Sequence, residues 1–403
     1  MSVNGVKSLK YNLIGGGLPL GCKVKDGKIV PALSAGKLDT TCPSNIRYAT
    51  FIHYSDRLYV MNNMALYTSE AGGSYRTVAY EDAALPFFIE YRDGTQQVSK
   101  IVFDSRGILF KGKGEALHSV PYRICGGVYK NGRVFAIDLD NRYKLCWSGE
   151  KGIDDWEEKI DGAGWLYTDA ELGEIINLLV FKGHIAIIKK YGISLLSAYG
   201  APENFKEIVN VSTPAIYQNT AVVCGNKVYF YTADGLYAFN AAGTEKIDLK
   251  LAEDFSSAVY AMTYGGSVFF AGTHKKLRRV VVLVYDTKEK TSYLIDVPAT
   301  ALAAGNDPYA YIKGGAVKLE KGAAFTYASE EIGHFSKRKK TLKSIFLDCT
   351  ENVDITVDTE SRRRQFKDVK GRVQTNISGS HFKVSVTGKN AEIKEFTANV
   401  EYY

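Results

Sequence analysis

Gly225-Asn226-Lys227-Val228-Tyr229-Phe230-Tyr231-Thr232-Ala233-Asp234-Gly235-Leu236-Tyr237-Ala238-Phe239 contains two short apolar runs separated by a polar turn. Valine, tyrosine and phenylalanine favour pleated, half-buried strands. Glycine in the turn supplies the positive φ that a tight hairpin requires. The segment therefore predicts an antiparallel β-hairpin.

The same hairpin pattern recurs along the chain. Related segments begin at Asp56, Asn131, Lys182 and Gly265, and weaker copies begin at Lys100 and Tyr309. The corresponding anchor residues are Leu58, Ile101, Val134, Ile185, Val228, Val268 and Ile312. Their spacing of about 40 residues is the length of one four-stranded propeller blade. The repeat predicts an all-β fold, a β-propeller of six or seven blades, with a pair of β-sandwiches or a β-helix as the alternative.

Composition limits the class of protein. The chain has 403 residues, 45% of them hydrophobic, and a net charge of +7. This length is compatible with one propeller and a small additional domain. No uninterrupted apolar run approaches 18 residues, and the first residues lack the pattern of a secretory signal, so we expect no membrane insertion and synthesis in the cytoplasm.

Motifs for catalysis or metal binding are not recognisable. The six cysteines form no CxxC pair, and four of them lie among apolar strand residues, which favours free, buried thiols. We find no GxSxG, HExxH or helix-opening GxGxxG motif, and expect neither enzymatic activity nor a cofactor. The acids Asp154, Asp155, Glu157 and Glu158 resemble a solvated loop more than a glycosidase pair. The acids of 138–142 resemble a hairpin turn more than a calcium loop.

Domain boundaries follow from changes in pattern. Residues 1–45 are rich in glycine with little alternation, and they predict an N-terminal arm that extends onto a neighbour or closes the propeller ring. Residues 46–334 carry the repeat and predict the propeller. Residues 335–403 alternate apolar and polar positions without the repeat, which predicts a small C-terminal β-sandwich.

Basic clusters and tryptophans are the candidate contact residues. Candidate contacts with protein partners or DNA are Lys275, Lys276, Arg278, Arg279, Lys337, Arg338, Lys339, Lys340, Arg362, Arg363 and Arg364. Solvated hairpin turns are the alternative explanation for each cluster. The three tryptophans, Trp147, Trp156 and Trp165, interrupt the repeat, and they either pack between blades or form a stacking platform for a sugar.

Several hairpin patterns carry a resemblance to a known group. They are Leu145-Cys146-Trp147-Ser148, Asp155-Trp156, the residues of 173–178 and 187–196, Val228-Tyr229-Phe230-Tyr231, Asp234-Gly235-Leu236-Tyr237 and the residues of 376–386. They resemble the β-propeller structural proteins of tailed bacteriophages, which include tail nozzle and packaged-DNA stabilisation proteins. The resemblance covers residues 130–245 and, more loosely, 340–403.

This resemblance implies a non-enzymatic virion protein, assembled in the host cytoplasm. It implies a cyclic homo-oligomer, with a hexamer favoured, that joins the portal, adaptor and tail components and helps retain the genome. The basic clusters would then face neighbouring subunits or contact genomic DNA without sequence specificity. The alternative function is a carbohydrate- or receptor-binding propeller of the distal tail or a cell surface, with the tryptophans as its platform.

Overall fold

The computed structural model is almost entirely β-structure. It describes residues 7–52, 57–62, 65–70, 74–79, 87–92, 98–104, 108–111, 118–119, 123–150, 155–158, 160–322, 324–333 and 339–403. No helix among these residues is long and apolar enough to span a membrane. The prediction of an all-β fold is confirmed.

The described residues form 39 strands, one short α-helix, α1 (Lys250–Glu253), and three 3₁₀ turns at Ile160–Gly162, Ala170–Leu172 and Pro202–Asn204. The strands of the first half are β1 (Lys7–Asn12), β2 (Leu18–Leu20), β3 (Cys22–Lys25), β4 (Lys28–Pro31), β5 (Leu33–Asp39), β6 (Tyr48–Ile52), β7 (Arg57–Met61), β8 (Leu66–Glu70), β9 (Arg76–Ala79), β10 (Phe87–Arg92), β11 (Val98–Asp104), β12 (Ile108–Lys111), β13 (His118–Ser119), β14 (Ile124–Lys130), β15 (Arg133–Asp138), β16 (Lys144–Trp147), β17 (Gly164–Tyr167), β18 (Ile175–Phe181), β19 (His184–Lys189) and β20 (Gly192–Ser197). The others are β21 (Lys206–Ser212), β22 (Val222–Cys224), β23 (Lys227–Thr232), β24 (Gly235–Phe239), β25 (Thr244–Lys246), β26 (Phe255–Tyr264), β27 (Ser267–His274), β28 (Arg279–Asp286), β29 (Thr291–Ile295), β30 (Ala301–Ala304), β31 (Pro308–Ile312), β32 (Gly315–Lys321), β33 (Ala324–Ala328), β34 (Lys340–Cys349), β35 (Val353–Asp358), β36 (Arg363–Val369), β37 (Gly371–Gly379), β38 (Lys383–Lys389) and β39 (Ile393–Tyr402).

The chain divides into two compact units. Unit 1 comprises residues 1–37, 282–297 and 318–403, and unit 2 comprises residues 38–281 and 298–317. These boundaries differ from the predicted segments 1–45, 46–334 and 335–403. Residues 7–31, predicted as part of an arm, form four strands in unit 1. Their partners are remote in sequence: Leu18 pairs with Ala328, for example, and such pairings leave no local pattern.

Unit 2 contains five four-stranded sheets, each with its strands hydrogen-bonded in sequence order. They are β6–β9, β10–β13, β14–β17, β18–β21 and β22–β25. Two further antiparallel hairpins are β26–β27 and β30–β31. Every anchor residue of the predicted repeat lies in the second strand of its group. The hairpin at 225–239 is confirmed, with Val228 opposite Phe239 and Thr232 opposite Gly235.

Neighbouring sheets of unit 2 bury their apolar faces against one another. One cluster joins β14–β17 to β18–β21 through buried residues such as Phe135 and Ile187. A second joins β18–β21 to β22–β25. A third joins the first sheet to the last hairpin, with Leu58 packed in the same cluster as Tyr311. The β18–β21 sheet contributes to two of these clusters, and a sheet that is apolar on both faces requires a neighbour on each side.

Unit 1 consists of two sheets around one hydrophobic core. The first has the strand order β3-β4-β39-β34-β37, with β1 paired to β39, and the second continues β28-β29-β2-β33-β38-β35-β36. Residues from both sheets, including Cys22, Tyr327, Ile355 and Phe396, belong to the same buried cluster. The strand alternation predicted for residues 335–403 is confirmed, as in β35, where every second residue is buried.

Candidate ligand-binding cavity

The first strands of the repeated groups contact one another in a series. Within unit 2, β10 contacts β14, and the series continues through β18, β22, β26 and β30 to β6. These strands surround a cavity of about 510 Å³. Residues of β6, β14, β18, β22, β26 and β30 line it. A volume of this size lies in the range of small-molecule sites in proteins.

Much of the cavity wall is apolar. Leu179 and Val180 of β18 and Val222 and Val223 of β22 line it. The side chain of Val180 is 41% exposed, a large value for an apolar residue on the first strand of a sheet. Alternation explains this exposure, because Phe181 on the other face of the strand is buried in the core between two sheets.

The polar lining includes Tyr48, Arg142, Gln218 and Asn219. Arg142 lies in the turn between β15 and β16. That turn is ordered by Asp138, whose Oδ1 accepts hydrogen bonds from the backbone N–H groups of Asp140 at 2.9 Å and Asn141 at 3.2 Å. The Arg142 carbonyl also accepts a 2.9 Å hydrogen bond from the N–H of Ile175. These bonds fix the base of the arginine at the start of β18.

Arg142 gives the cavity a positive charge. It is the one Asp, Glu, Lys, Arg or His among the described lining residues. Within the described part of the chain its guanidinium forms no hydrogen bond or ion pair, whereas the nearby carboxylate of Asp138 lies 3.3 Å from Lys144 Nζ. A half-buried cation without a counter-ion favours an anion in the cavity.

Burial changes the ionisation of two lining residues. It raises the pKa of the Tyr48 phenol, while Arg47 and Arg142 act in the opposite direction, as does a hydrogen bond with Asn219. Burial also raises the pKa of the Cys125 thiol to about 11, again opposed by Arg142. Both groups are therefore neutral at pH 7, and the Tyr48 hydroxyl keeps its proton for hydrogen bonding.

Lys275, Lys276, Arg278 and Arg279 are exposed at the turn between β27 and β28, as a contact surface would require. Two of them already have acceptors nearby. Lys276 Nζ lies 2.7 Å from Asp254 Oδ2, and Lys275 Nζ donates to the Glu253 carbonyl at 2.9 Å. These pairings reduce the free positive charge of the turn.

Only two residues of the basic cluster at 337–340 are among the described residues. Lys337 and Arg338 lie outside the described residues, and Lys339 is exposed. Lys340, in contrast to its predicted role, is fully buried and unavailable to a partner. Its Nζ donates to the carbonyl oxygens of Gly333 and Ser380, so its charge is satisfied inside unit 1. A run of basic residues in the sequence does not indicate that one of them, Lys340, begins a strand and is buried.

Arg362, Arg363 and Arg364 are all exposed at the start of β36. Arg363 Nε lies 3.6 Å from Asp358 Oδ1, and these side chains are 76% and 39% exposed, so water screens the pair. Strand β36 pairs with β35 and, within the described chain, has no strand on its other side. The three arginines thus stand on an open sheet edge.

The three tryptophans do not form one exposed platform. Trp147 and Trp156 are 4% and 1% exposed, because they pack inside unit 2, whereas Trp165 is 38% exposed. Trp165 makes an edge-to-face contact with Tyr167 at 5.1 Å, and Lys144 Nζ lies 5.0 Å from its ring centre. Only Trp165 retains the geometry required of a stacking residue.

Sequence reasoning missed Tyr48, Arg142 and Asn219 as a group. The segment 138–142 is the predicted hairpin turn, but no pattern indicated that its arginine reaches a cavity shared by six strands. No group of three or more His, Cys, Asp or Glu residues in the described ranges is placed to hold a metal ion. None of the six cysteines, all of which lie in the described ranges, forms a disulfide.

Comparisons with known proteins show similarity of fold. No family model matches the sequence, and no curated protein matches it. The structure of PorZ, described as an essential bacterial surface component of the type-IX secretion system of Porphyromonas gingivalis, has a TM-score of 0.50 and 11% identity, covering 84% of this chain and 55% of that chain. BBS1N in complex with ARL6DN has a TM-score of 0.50 and 10% identity, covering 72% of this chain and 96% of that chain. At such identities the likeness concerns the fold alone.

Proposed function

We propose that the repeated groups of unit 2 are the blades of a seven-bladed β-propeller. Their first strands are β6, β10, β14, β18, β22, β26 and β30. The contact series from β10 to β30 and on to β6 supports this arrangement, as does the burial of Leu58 with Tyr311 in one cluster. In this arrangement β6 and β10 are neighbours, which closes the ring. The two sheets of unit 1 form the β-sandwich of the same proposal.

The function that we propose is structural. The protein is a non-enzymatic component of a bacteriophage virion, a neck or tail nozzle subunit that assembles into a ring between portal and tail and helps to retain the genome. The resemblance to tail propeller proteins supports this role, since its patterns fall on β16, on β18–β20 and on the β23–β24 hairpin.

The open edge of β36 is the observation that carries the proposal. An unpaired edge presents backbone N–H and C=O groups that can pair with another chain, and native proteins usually protect such edges. Here the edge carries Arg362, Arg363 and Arg364, all exposed. Positive charge prevents two copies of this edge from pairing with each other. It favours a different, acidic surface on the neighbouring copy, and head-to-tail contacts of that kind generate rings.

Mass photometry and negative-stain averaging of the purified chain, with and without portal and tail proteins, test this role. We expect a closed ring, with six copies favoured. Substituting Arg362, Arg363 and Arg364 together by Glu should abolish the ring, whereas Glu at the exposed Lys321, Lys389 and Lys394 should leave it intact. A monomer under all these conditions, or purified virions of the source that lack the chain, would refute the structural role.

A carbohydrate-binding propeller is the second candidate function. The exposed Trp165 and Tyr167, with Lys144 beside them, favour it because aromatic faces stack on sugars. A glycan array distinguishes the two functions. Binding that is lost in Trp165→Ala, together with a persistent monomer, would replace the virion role by this one.

A further inference from the structure

The cavity of unit 2 combines one fixed positive charge with an apolar stretch of wall on β18 and β22, and neither property follows from a role in assembly. We infer that this cavity binds an organic carboxylate, whose charge is held by Arg142 and whose apolar part lies against β18 and β22. The inference concerns a small-molecule or peptide ligand, and it does not depend on the proposed virion role.

Arg142 provides the positive charge of the cavity lining. Arg142 is half-buried, and within the described chain it has no counter-ion. An arginine fork forms two parallel hydrogen bonds with a carboxylate, which makes such pairs strong and directional. The described lining contains no Asp or Glu that would compete for the guanidinium. The nearest acid described above, Asp138, is already occupied by Lys144 and by backbone N–H groups of its turn.

Neutral groups complete the polar end. Tyr48 and Asn219 line the same cavity as Arg142, and Asn219 lies close enough to Tyr48 to lower the pKa of its phenol. A hydroxyl and an amide can each donate to a carboxylate oxygen that the guanidinium leaves free. Arg47, exposed beside Tyr48, adds a second positive charge outside the lining.

The walls select the rest of the ligand. Val180 is 41% exposed towards a cavity that Leu179, Val222 and Val223 also line. Covering such apolar surface removes it from water and favours binding. Inorganic phosphate has no apolar part, and at pH 7 much of it carries two charges that a single arginine does not neutralise. An acid with an aliphatic body satisfies both the arginine and the walls.

Isothermal titration of the full-length protein tests the inference. The probes are hexanoate, as a free acid, and N-acetyl-leucyl-leucine, as a peptide carboxyl terminus; hexanamide, the peptide amide and inorganic phosphate are the comparison compounds. We expect at least one acid to bind at least tenfold more tightly than its amide and than phosphate. The acid that binds more tightly shows whether the ligand carboxylate belongs to a small molecule or to a peptide terminus. Equal binding of acids and amides, tighter binding of phosphate, or no binding of either acid at 10 mM would overturn the inference.

Two variants place the binding in the cavity. Arg142→Gln should weaken binding of the acid about tenfold or more, whereas the matched substitution Arg76→Gln, at an exposed position of β9 in the same unit, should leave it unchanged. Val180→Glu adds a negative charge at an exposed wall position, where folding is tolerant, and it should also weaken binding. Unchanged affinity in folded Arg142→Gln or in Val180→Glu would refute the site.

Discussion

The buried guanidinium of the single residue Arg133 holds together the backbone that precedes β17. Its side chain is 4% exposed, and Nη1 donates to the carbonyl oxygens of Ser148 at 3.0 Å, Asp161 at 2.9 Å and Gly162 at 3.0 Å. Arg133→Met removes all three bonds, although the Asp161 carbonyl keeps a hydrogen bond from the Glu150 N–H and the Gly162 carbonyl keeps one from Trp147 Nε1. Since a buried polar group that loses its partner costs about 1–3 kcal/mol, we expect a loss of about 2–3 kcal/mol in the free energy of unfolding, measured by urea denaturation.

Arg123→Met is the matched control for Arg133. Arg123 is exposed and forms one ion pair with Asp140 at 2.7 Å, so its loss should change stability by less than about 1 kcal/mol. Equal effects of the two substitutions would contradict the role of Arg133. The sequence placed Arg133 in a hairpin, but it did not indicate its partners, which follow it by 15–29 residues. The same limit applied to Arg142 and to the burial of Lys340.

Among the strands, the local sequence pattern was sufficient to predict the hairpins, but it was insufficient to predict which distant strands pair with one another. The pattern that recurs about every 40 residues predicted the second strand of every repeated group. Its signals, apolar–polar alternation and turn glycines, depend only on residues close together in sequence. The strands β2–β4 escaped prediction because they are three or four residues long. Their stability comes from pairing with distant strands and from Cys22 and Ile29 in the unit 1 core.

The turn between β28 and β29 provides a prediction at this scale. Glu289 in this turn binds Lys23 and Lys25 of β3, with 2.7 Å between Lys25 Nζ and Oε1. Hydrogen bonds from both lysines lower the pKa of Glu289 to about 2, against about 4.3 for a free glutamate. The stabilisation is therefore complete above about pH 5 and disappears as the pH falls from about 4.3 to about 2.

Thermal denaturation of Glu289→Gln across pH checks this expectation. The variant should melt at a lower temperature than the unchanged chain at pH 7, and the two melting temperatures should converge towards pH 2. Glu395→Gln, which removes a single exposed pair with Lys10 at 2.9 Å, should show a smaller difference. A difference for Glu289→Gln that stays constant down to pH 2 would contradict the role of its carboxylate.

At the scale of the whole molecule, the sequence correctly indicated all-β structure built on a repeat. The compact units follow contacts between remote segments, however, and three separate segments make up unit 1. Leu13 and Cys22 share a core with Phe325, Tyr327 and the strands after residue 339. A pattern read along the chain detects the repeat in 46–334, but it cannot assign residues on either side of that repeat to one core.

This shared core predicts the result of a truncation one residue before the 334/335 boundary read from the sequence. A chain that ends at residue 333 lacks β34–β39, and it exposes Leu13, Ile29, Phe325 and Tyr327, which are all 3% exposed or less in the intact protein. Uncovered apolar surface of that extent promotes aggregation. We therefore expect this chain to be insoluble or to elute as large aggregates in size-exclusion chromatography. Removal of Tyr403 alone, which is 55% exposed, should leave the chain soluble. A soluble, well-folded product ending at residue 333 would show that residues 335–403 fold as a domain separable from the rest of unit 1.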